Sequence, residues 1–386
     1  MYIPYGRQVI SKDDIQDVVN VLQSDFITQG PVTPHFENIV AEYCKVDYSV
    51  ATNSATSALH IACLALGVKK GDHVWTSPIT FVSSANCARF CGANIDFVDI
   101  DIDTINICPE ELRRKLELAN KKNCLPKVIV VVHMAGLPCD MKSISQLARQ
   151  YNIRIIEDAS PAIGSRYKET IIGDCYYSDI TIFSFHPVKI ITTGEGGMAT
   201  TKSSKLANNM KLLRSHGITR DTTDLINKSE GGWYYEQQML GFNYRMTDIH
   251  SALGISQFKK LDEWIKRRNK LADIYDREFE NTNIILPNRY KDSLHAMHLY
   301  IIQFDNKDGK IKRKYIYNKM QSAGIGVNIH YIPVHTQPYY AELGFSHGDF
   351  PVSEKYYERC LSLPMHIGLT NDQQMYIIKN IKNILQ

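Results

Sequence analysis

Residues 128–158 read VIVVVHMAGLPCDMKSISQLARQYNIRIIED, and two apolar runs flank a helical pattern in this stretch. We predict strands at residues 128–133 and 154–157, with a helix between them at residues 143–151. Because residues 128–132 are continuously apolar, this run is typical of a strand that is buried on both faces of a parallel sheet. The stretch therefore predicts a parallel sheet that is covered by helices.

The same alternation of β-rich runs and helical patterns extends over residues 45–200. Two more helices are predicted, at residues 55–66 and 109–119. Five more strands are predicted, at residues 49–52, 73–76, 95–99, 180–185 and 197–200. Together these segments predict an α/β fold, with a mostly parallel seven-stranded sheet and helices on both faces.

After residue 200 the pattern becomes mainly helical. Residues 248–280 are predicted to form a long helical connection, and residues 372–385 a C-terminal helix. Since 386 residues exceed what one core usually holds, we expect two domains. We predict a large domain at residues 1–257 and a smaller C-terminal α+β domain at residues 258–386.

The composition excludes several classes of protein. No apolar run approaches the ~20 residues that a membrane helix needs, and the N-terminal stretch lacks a secretory pattern. We therefore expect no membrane association and a cytoplasmic location. A net charge of +3 without basic blocks argues against a nucleic-acid partner. The nine cysteines include no Cys-x-x-Cys pair, so we expect reduced thiols and no metal site.

The segment SFHPVKIITTGEGG at residues 184–197 directly follows one predicted strand and contains Lys189. Ligands of open parallel sheets bind beyond the carboxyl ends of the strands, which is where Lys189 is expected. A lysine partly shielded from water has a lowered pKa and becomes a usable nucleophile. Taken alone, the segment fits an exposed loop lysine better.

An aspartate ends the predicted strand within IRIIEDAS at residues 153–160. Asp158 would place a carboxylate at the same sheet edge as Lys189, where it can pair with a buried cation. One charged hydrogen bond is worth about 1.5–3 kcal/mol, which raises the pKa of a pyridine nitrogen by about one to two units. The alternative is an ordinary turn aspartate that caps a helix.

A third strand leads into NSATSALH at residues 53–60, a hydroxyl-rich turn that opens a helix. Free N–H groups at a helix start form an anion site, in which Thr56 and its neighbours can hold a phosphate. Plain N-capping by Ser54 or Thr56 would give the same sequence. A lysine, a carboxylate and a phosphate cradle at one sheet edge are together what pyridoxal phosphate requires.

At this point the sequence resembles the DegT/DnrJ/EryC1/StrS sugar aminotransferases, which are fold-type I pyridoxal-phosphate enzymes. The resemblance runs nearly from end to end. Its motifs, besides those already quoted, are TQG at 28–30, SPITFVSSANC at 77–87, VHMAGLPCDM at 132–141, RSHG at 214–217, GFNYRMTDIHSALGISQ at 241–257, HYIPVH at 330–335 and LSLPMH at 361–366.

The resemblance implies a role for each matching position. Lys189 would bind the cofactor covalently as a Schiff base, and Asp158 would contact its pyridine nitrogen. Phe81 would stack on the ring. The phosphate would be held by Ala55, Thr56, Ser184 and, from the neighbouring subunit of a homodimer with shared active sites, Asn243. Without the resemblance, Phe81 fits core packing and Asn243 a turn.

Within the family, NSATSALH and SFHPVKIITTGEGG are most similar to a branch that aminates a UDP-linked 4-keto-6-deoxy-N-acetylhexosamine on the way to pseudaminic acid. The implied substrates are this UDP-linked keto-sugar and L-glutamate. A GDP-perosamine or dTDP-amino-sugar enzyme is the alternative. Candidate contacts with sugar or donor are Tyr5, Gln29, Arg245, His330, Tyr331 and His335, although the histidines fit structural roles equally well.

The sequence departs from the family pattern at two positions. Ala55 stands where glycine is common, and Pro161 stands where glutamine or histidine is usual. Proline has no side-chain donor, so a cofactor or sugar contact made by that side chain is not expected here.

Three other classes of protein fit the sequence less well than a sugar aminotransferase does. A sugar dehydratase of this fold would carry histidine in place of Lys189. A nicotinamide-dependent oxidoreductase would need a strand-linked G-x-G-x-x-G, which the sequence lacks. A non-catalytic binding protein would have no use for both Lys189 and Asp158.

Overall fold

A computed structural model describes residues 2–227, 229–290, 292–304 and 313–385. Its helices are α1 (Lys12–Leu22), α2 (Val32–Cys44), α3 (Ala55–Ala65), α4 (Ser83–Phe90), α5 (Pro109–Lys121), α6 (Met141–Gln150), α7 (Ser204–Arg214), α8 (Asp248–Phe258), α9 (Leu261–Phe279), α10 (Arg313–Ser322), α11 (Pro338–Ala341), α12 (Pro351–Arg359) and α13 (Asn371–Leu385). Short 3₁₀ turns occur at Met134–Gly136 and Val334–Thr336.

The strands are β1 (Tyr48–Thr52), β2 (His73–Thr76), β3 (Asn94–Phe97), β4 (Val128–Val132), β5 (Arg154–Asp158), β6 (Arg166–Tyr167), β7 (Thr170–Ile171), β8 (Ile180–Ser184), β9 (Gly197–Thr201), β10 (Ile218–Thr219), β11 (Glu236–Gln237), β12 (Ile284–Ile285), β13 (Ser293–Leu294), β14 (Tyr300–Phe304) and β15 (Cys360–Leu363).

The central sheet has seven strands in the order β1-β9-β8-β5-β4-β2-β3. Strand β9 runs antiparallel to its neighbours β1 and β8, and the other adjacent pairs are parallel. The predicted mostly parallel seven-stranded sheet is confirmed. The short strands β6 and β7 also lie within residues 45–200, but they pair with β13 in a separate sheet that was not predicted.

Helices cover both faces of the central sheet, because successive side chains of a buried strand point to opposite sides. In β4, Ile129 and Val131 join one hydrophobic core, which also contains residues of α2, α5 and α6. Val128 and Val130 join a second core, which contains residues of α3, α4 and α7. The uninterrupted apolar run of β4 therefore reflects burial on both faces.

A third core lies in the C-terminal part of the chain, where β14 pairs with β12 and β15. Helices α9, α10 and α13 contribute to this core, and so does Ile3 from the N-terminal segment, which pairs with Ile325. The predicted long connection is two helices, α8 and α9, which meet near Lys259. The domain boundary at residues 257–258 stays a prediction.

Within the described ranges, no helix is both long and apolar enough to cross a membrane. All nine cysteines are free, and six of them are buried.

Candidate active site

The carboxyl ends of β5 and β8 bring two of the predicted site residues to one edge of the sheet. These strands are parallel neighbours, and Asp158 and Ser184 are their last residues. Because parallel strands end at the same edge, the turn that follows β8 and carries Lys189 also starts at this edge. This geometry agrees with the predicted position of Lys189 and Asp158 at one sheet edge, and their roles stay predictions.

Lys189 has an unusually low affinity for protons. Burial of its amine lowers the pKa from 10.5 to about 8, and the negative charge of Asp158 opposes part of that shift. The residue as a whole keeps some exposure, so its surroundings remain accessible from solvent. A lysine with this pKa supplies far more neutral amine near pH 7 than an exposed one.

The lowered pKa predicts how the cofactor-free protein reacts with an amine reagent. Because only the neutral amine is a nucleophile, acetylation of Lys189 should rise about tenfold per pH unit below its pKa and level off near pH 8. Competitive labelling with acetic anhydride, read by mass spectrometry, measures this midpoint. A midpoint at 10.5 would show that the amine is not shielded. The exposed Lys202 is the internal reference.

Asp158 is a buried carboxylate, with a relative exposure of only 5%. Its Oδ2 accepts a hydrogen bond of 2.6 Å from the Ser84 hydroxyl, and its Oδ1 accepts one of 3.1 Å from the Ser160 N–H. Both donors are neutral, so the described part of the chain provides hydrogen bonds for the carboxylate but no direct salt bridge. A buried anion of this kind favours a cationic ligand.

Ser84 is a site residue that the sequence analysis missed. A carboxylate only accepts hydrogen bonds, so the Ser84 hydroxyl must donate to Asp158. The Thr80 hydroxyl, 2.7 Å from that of Ser84, is then the donor to Ser84. The chain Thr80–Ser84–Asp158 fixes the orientation of the carboxylate. The two hydroxyls flank Phe81 in the quoted motif SPITFVSSANC, and this was the available signal.

The start of α3 lies against the end of β8 and the beginning of β9. Ser184 pairs with Gly197, and a Cβ on Gly197 would lie 2.5 Å from the backbone nitrogen of Ala55. Only glycine permits this approach, which brings Ser184 next to the first turn of α3. Ser54 caps the helix by accepting from the Ser57 N–H at 3.2 Å.

The start of α3, next to Ser184, has the chemistry of an anion site. Ser54 is the N-cap, so the capping interpretation is correct for that residue, and it leaves the N–H groups of Ala55 and Thr56 for a ligand. The Thr56 hydroxyl lies 2.8 Å from that of Ser83. The hydroxyl groups and the helix N-terminus together fit a phosphate group.

Aromatic side chains form the outer wall of the site. Phe81 is 58% exposed, and its ring centroid lies 6.3 Å from that of Tyr331. Tyr331 packs against His330, and His330 packs against Tyr5 with a centroid distance of 5.6 Å. An exposed phenylalanine ring that extends from a buried sheet edge is a suitable surface for a planar ligand. The structure thus groups four of the predicted residues.

His330 is held as a neutral imidazole. Burial, together with the nearby charge of Lys189, lowers its pKa to about 3. Its Nδ1 lies 2.7 Å from the Ser362 hydroxyl, and its carbonyl accepts a hydrogen bond from Tyr356. His335 belongs elsewhere, because it is fully buried and pairs with Glu354 at 2.9 Å. For His335 the structural interpretation is the better one.

Three predicted residues are not linked to Lys189 by any contact within the described residues. Gln29 is exposed and has a left-handed backbone, with φ of 56°. Arg245 is half-buried. Asn243 is exposed and forms a bridge with Ser215. The predicted roles of these residues therefore depend on contacts outside a single chain or on a bound substrate.

The sequence matches a known family of proteins over nearly its whole length. The model of the DegT/DnrJ/EryC1/StrS aminotransferase family matches residues 8–382. The chain belongs to this family. It is 36% identical to a UDP-4-amino-4,6-dideoxy-N-acetyl-beta-L-altrosamine transaminase of Campylobacter jejuni, over 100% of this chain and 98% of the relative. It is 37% identical to the spore coat polysaccharide biosynthesis protein SpsC of Bacillus subtilis, over 100% of this chain and 97% of the relative.

Among solved structures, the chain is similar to Helicobacter pylori PseC, described as an aminotransferase involved in the biosynthesis of pseudoaminic acid. The TM-score is 0.91 and the identity 29%, and the match covers 100% of this chain and 99% of PseC. The protein is therefore a pyridoxal-phosphate-dependent sugar aminotransferase with the fold-type I architecture. The amine, the buried carboxylate and the anion site described above fit this cofactor.

Proposed function

We propose that this enzyme aminates the C4 ketone of UDP-2-acetamido-2,6-dideoxy-4-hexulose, with L-glutamate as the amino donor. The product would be a UDP-4-amino-sugar for pseudaminic acid or a related surface glycan. The observation that carries the proposal is full-length similarity to a transaminase named for such a UDP-sugar. The similarity to PseC supports the same pathway type.

We assign roles to the chain's own residues, and their geometry supports these roles. Bound pyridoxal phosphate supplies an electron sink for negative charge beside the reacting carbon. Lys189 would hold the cofactor, and its free amine would take the proton from the donor's Cα and return a proton within the same site. Its pKa of about 8 suits both tasks. Asp158 would favour the protonated form of the cofactor's ring nitrogen.

The remaining residues bind and orient. Ala55, Thr56 and Ser184 hold the phosphate at the start of α3, and Phe81 supports the ring. We assign His330, Tyr331 and Tyr5 to the sugar or donor side, since they form the wall next to Phe81.

A substrate screen tests the proposed specificity. The purified, cofactor-loaded enzyme is supplied with L-glutamate and with UDP-, GDP- or dTDP-linked 4-keto-6-deoxy sugars, and 2-oxoglutarate and the amino-sugar are quantified. We expect the UDP-linked N-acetylated sugar to give the highest kcat/KM. A higher kcat/KM with a GDP- or dTDP-linked sugar would reject the proposed nucleotide while leaving the aminotransferase reaction intact.

We also propose a cytoplasmic homodimer in which Asn243 contributes to the active site of the partner subunit. Its exposure in the single chain is compatible with that role. Variants Lys189→Ala and Asn243→Ala should each be nearly inactive. If sites are shared, mixed and reannealed variants should regain up to about a quarter of wild-type activity, because half the dimers then contain one complete site. Absence of recovery in verified heterodimers would reject shared sites.

The chain Thr80–Ser84–Asp158 predicts that Ser84 is a positioning residue. Replacing Ser84 by alanine removes one hydrogen bond to a buried charge, worth about 1.5 kcal/mol or more. We expect cofactor affinity to fall about tenfold. Fluorescence titration of the cofactor-free protein measures this change.

The matched control is Ser145→Ala, because Ser145 is also buried but bonds only to the carbonyl of Lys142 within its own helix. Ser84→Thr keeps the hydroxyl and should restore affinity. Equal affinities for wild type and Ser84→Ala would show that the serine does not position the carboxylate.

A further inference from the structure

Three thiols lie together where helices α3 and α4 pack against each other. Cys63 on α3 is fully buried, and its thiol is in hydrogen-bond contact with those of Cys87 and Cys91. Cys87 is also fully buried, whereas Cys91, the residue that ends α4, is partly exposed. The cluster is therefore accessible from solvent at Cys91 and closed at the other two thiols.

The positions of Cys63 and Cys91 along their helices agree with this contact. Helix α3 connects β1 to β2 and α4 connects β2 to β3, so the two helices run in the same direction. At their starts, the Thr56 hydroxyl lies 2.8 Å from the Ser83 hydroxyl. Cys63 and Cys91 lie seven and eight positions further along, which are rises of about 10.5 and 12 Å. The two cysteines are therefore at the same level of neighbouring helices.

His60 completes the cluster. It lies one turn before Cys63, and its ring centroid is 5.4 Å from that of Phe90, the neighbour of Cys91. Its Nδ1 is 3.2 Å from the Tyr244 hydroxyl, which leaves Nε2 as the donor to Cys91. Hydrogen bonds from Cys63 and His60 outweigh burial and lower the pKa of the Cys91 thiol to about 6. At neutral pH, Cys91 is therefore the thiolate of the cluster, and Cys63 keeps its proton.

We propose that Cys91 and Cys63 are a site of reversible oxidation, at which a hydroperoxide such as hydrogen peroxide converts the two thiols into a disulfide. The Cys91 thiolate attacks a peroxide oxygen, the O–O bond breaks, and the other oxygen leaves and takes up a proton. Cys91 is then a sulfenic acid. The Cys63 sulfur attacks the Cys91 sulfur, the S–O bond breaks, and the hydroxide leaves as water with the Cys63 proton. The two thiols lose two electrons in total, and the peroxide gains them.

The buried partner thiol determines what becomes of the oxidised Cys91. A sulfenic acid without a neighbouring thiol is oxidised further to a sulfinic acid, which thiol reductants do not reverse. Because the Cys63 thiol is already in contact, the disulfide forms first, and a dithiol can restore both residues. The disulfide also joins two helices that support the cofactor site, since α3 begins at the anion site and α4 carries Ser84.

Mass spectrometry of the wild-type, cofactor-loaded enzyme tests the pair without any variant. The reduced protein is treated with hydrogen peroxide, the remaining thiols are alkylated, and a tryptic digest is analysed without reduction. We expect a peptide that contains Cys63 linked to one that contains Cys91, and dithiothreitol should separate them. Trypsin cuts after Arg89, which separates Cys87 from Cys91, and fragment spectra distinguish Cys91 from Cys108. Absence of the linked pair, or a bond from Cys63 to another cysteine in its place, would overturn the proposal.

Two variants separate the roles of the thiols. Cys63→Ser keeps a hydrogen-bond donor for Cys91 but has no sulfur, so Cys91 should proceed to the sulfinic acid. After peroxide and then dithiothreitol, recovery of the free Cys91 thiol should be nearly complete in the wild type and largely lost in Cys63→Ser. Cys87→Ser is the matched control, because it removes the other buried thiol of the cluster and should recover as the wild type does. Full recovery in Cys63→Ser would show that Cys63 does not form the disulfide.

Discussion

Replacing Lys189 by alanine is expected to abolish transamination, with a loss of at least ~10⁴-fold in kcat. The side chain supplies both the covalent attachment of the cofactor and the amine that moves the proton, and no other lysine lines the described site. Turnover of the keto-sugar with L-glutamate, followed as 2-oxoglutarate, measures the loss. Borohydride treatment of the wild type should also attach the cofactor permanently to the peptide that contains Lys189.

The variant should fold normally. Removing a buried amine whose charged form is disfavoured by its surroundings relieves a desolvation penalty, so we expect the melting temperature of the cofactor-free protein to be unchanged or slightly raised. The control is Lys202→Ala, which removes an exposed lysine beyond β9 and should retain full activity. Undiminished turnover in Lys189→Ala would reject the assigned role.

The sheet was predictable from sequence because its strands are buried on both faces. In β4 every residue is apolar, and the strand ends predicted for the central sheet lie within two residues of the observed ones. The short strands β6, β7 and β13 were not predictable. They have two residues each, and their pairing depends on a contact between residues 166–167 and 293–294 that no local pattern encodes.

Some residues of the site could likewise be predicted from the sequence, and others could not. Asp158 and Lys189 were predictable because strand ends of a parallel sheet meet at one edge. The motif around Phe81 contains Ser84, but the role of Ser84 could not be predicted from it, since that role depends on a hydrogen bond across 74 positions of the sequence. The burial of Arg268 on α9, which is only 2% exposed, is likewise a property of its tertiary surroundings, because its sequence context, KRRNK, indicates an exposed helix face. For His335 the burial and the Glu354 partner decided between two interpretations that the sequence left open.

Replacing Asp158 by asparagine is expected to slow transamination by about 10- to 100-fold while cofactor still binds. The carboxylate stabilises a protonated ring nitrogen by one charged hydrogen bond, worth about 1.5–3 kcal/mol, and each 1.4 kcal/mol is tenfold in rate. Asparagine keeps the shape and can still accept the Ser160 N–H through Oδ1. Its amide would donate a hydrogen bond to the ring nitrogen and would therefore favour the unprotonated ring. The unprotonated ring withdraws less negative charge from the reacting carbon.

This prediction separates an electronic role from a structural one. The kcat values of both half-reactions should fall, because both need the protonated ring, whereas cofactor affinity should change much less. Stopped-flow absorbance with L-glutamate alone isolates the first half-reaction. Asp179→Asn is the matched control, since Asp179 pairs with Arg154 at the opposite end of β5 and should leave the rate unchanged. An Asp158→Asn enzyme that turns over at the wild-type rate would show that the carboxylate does not act on the ring nitrogen.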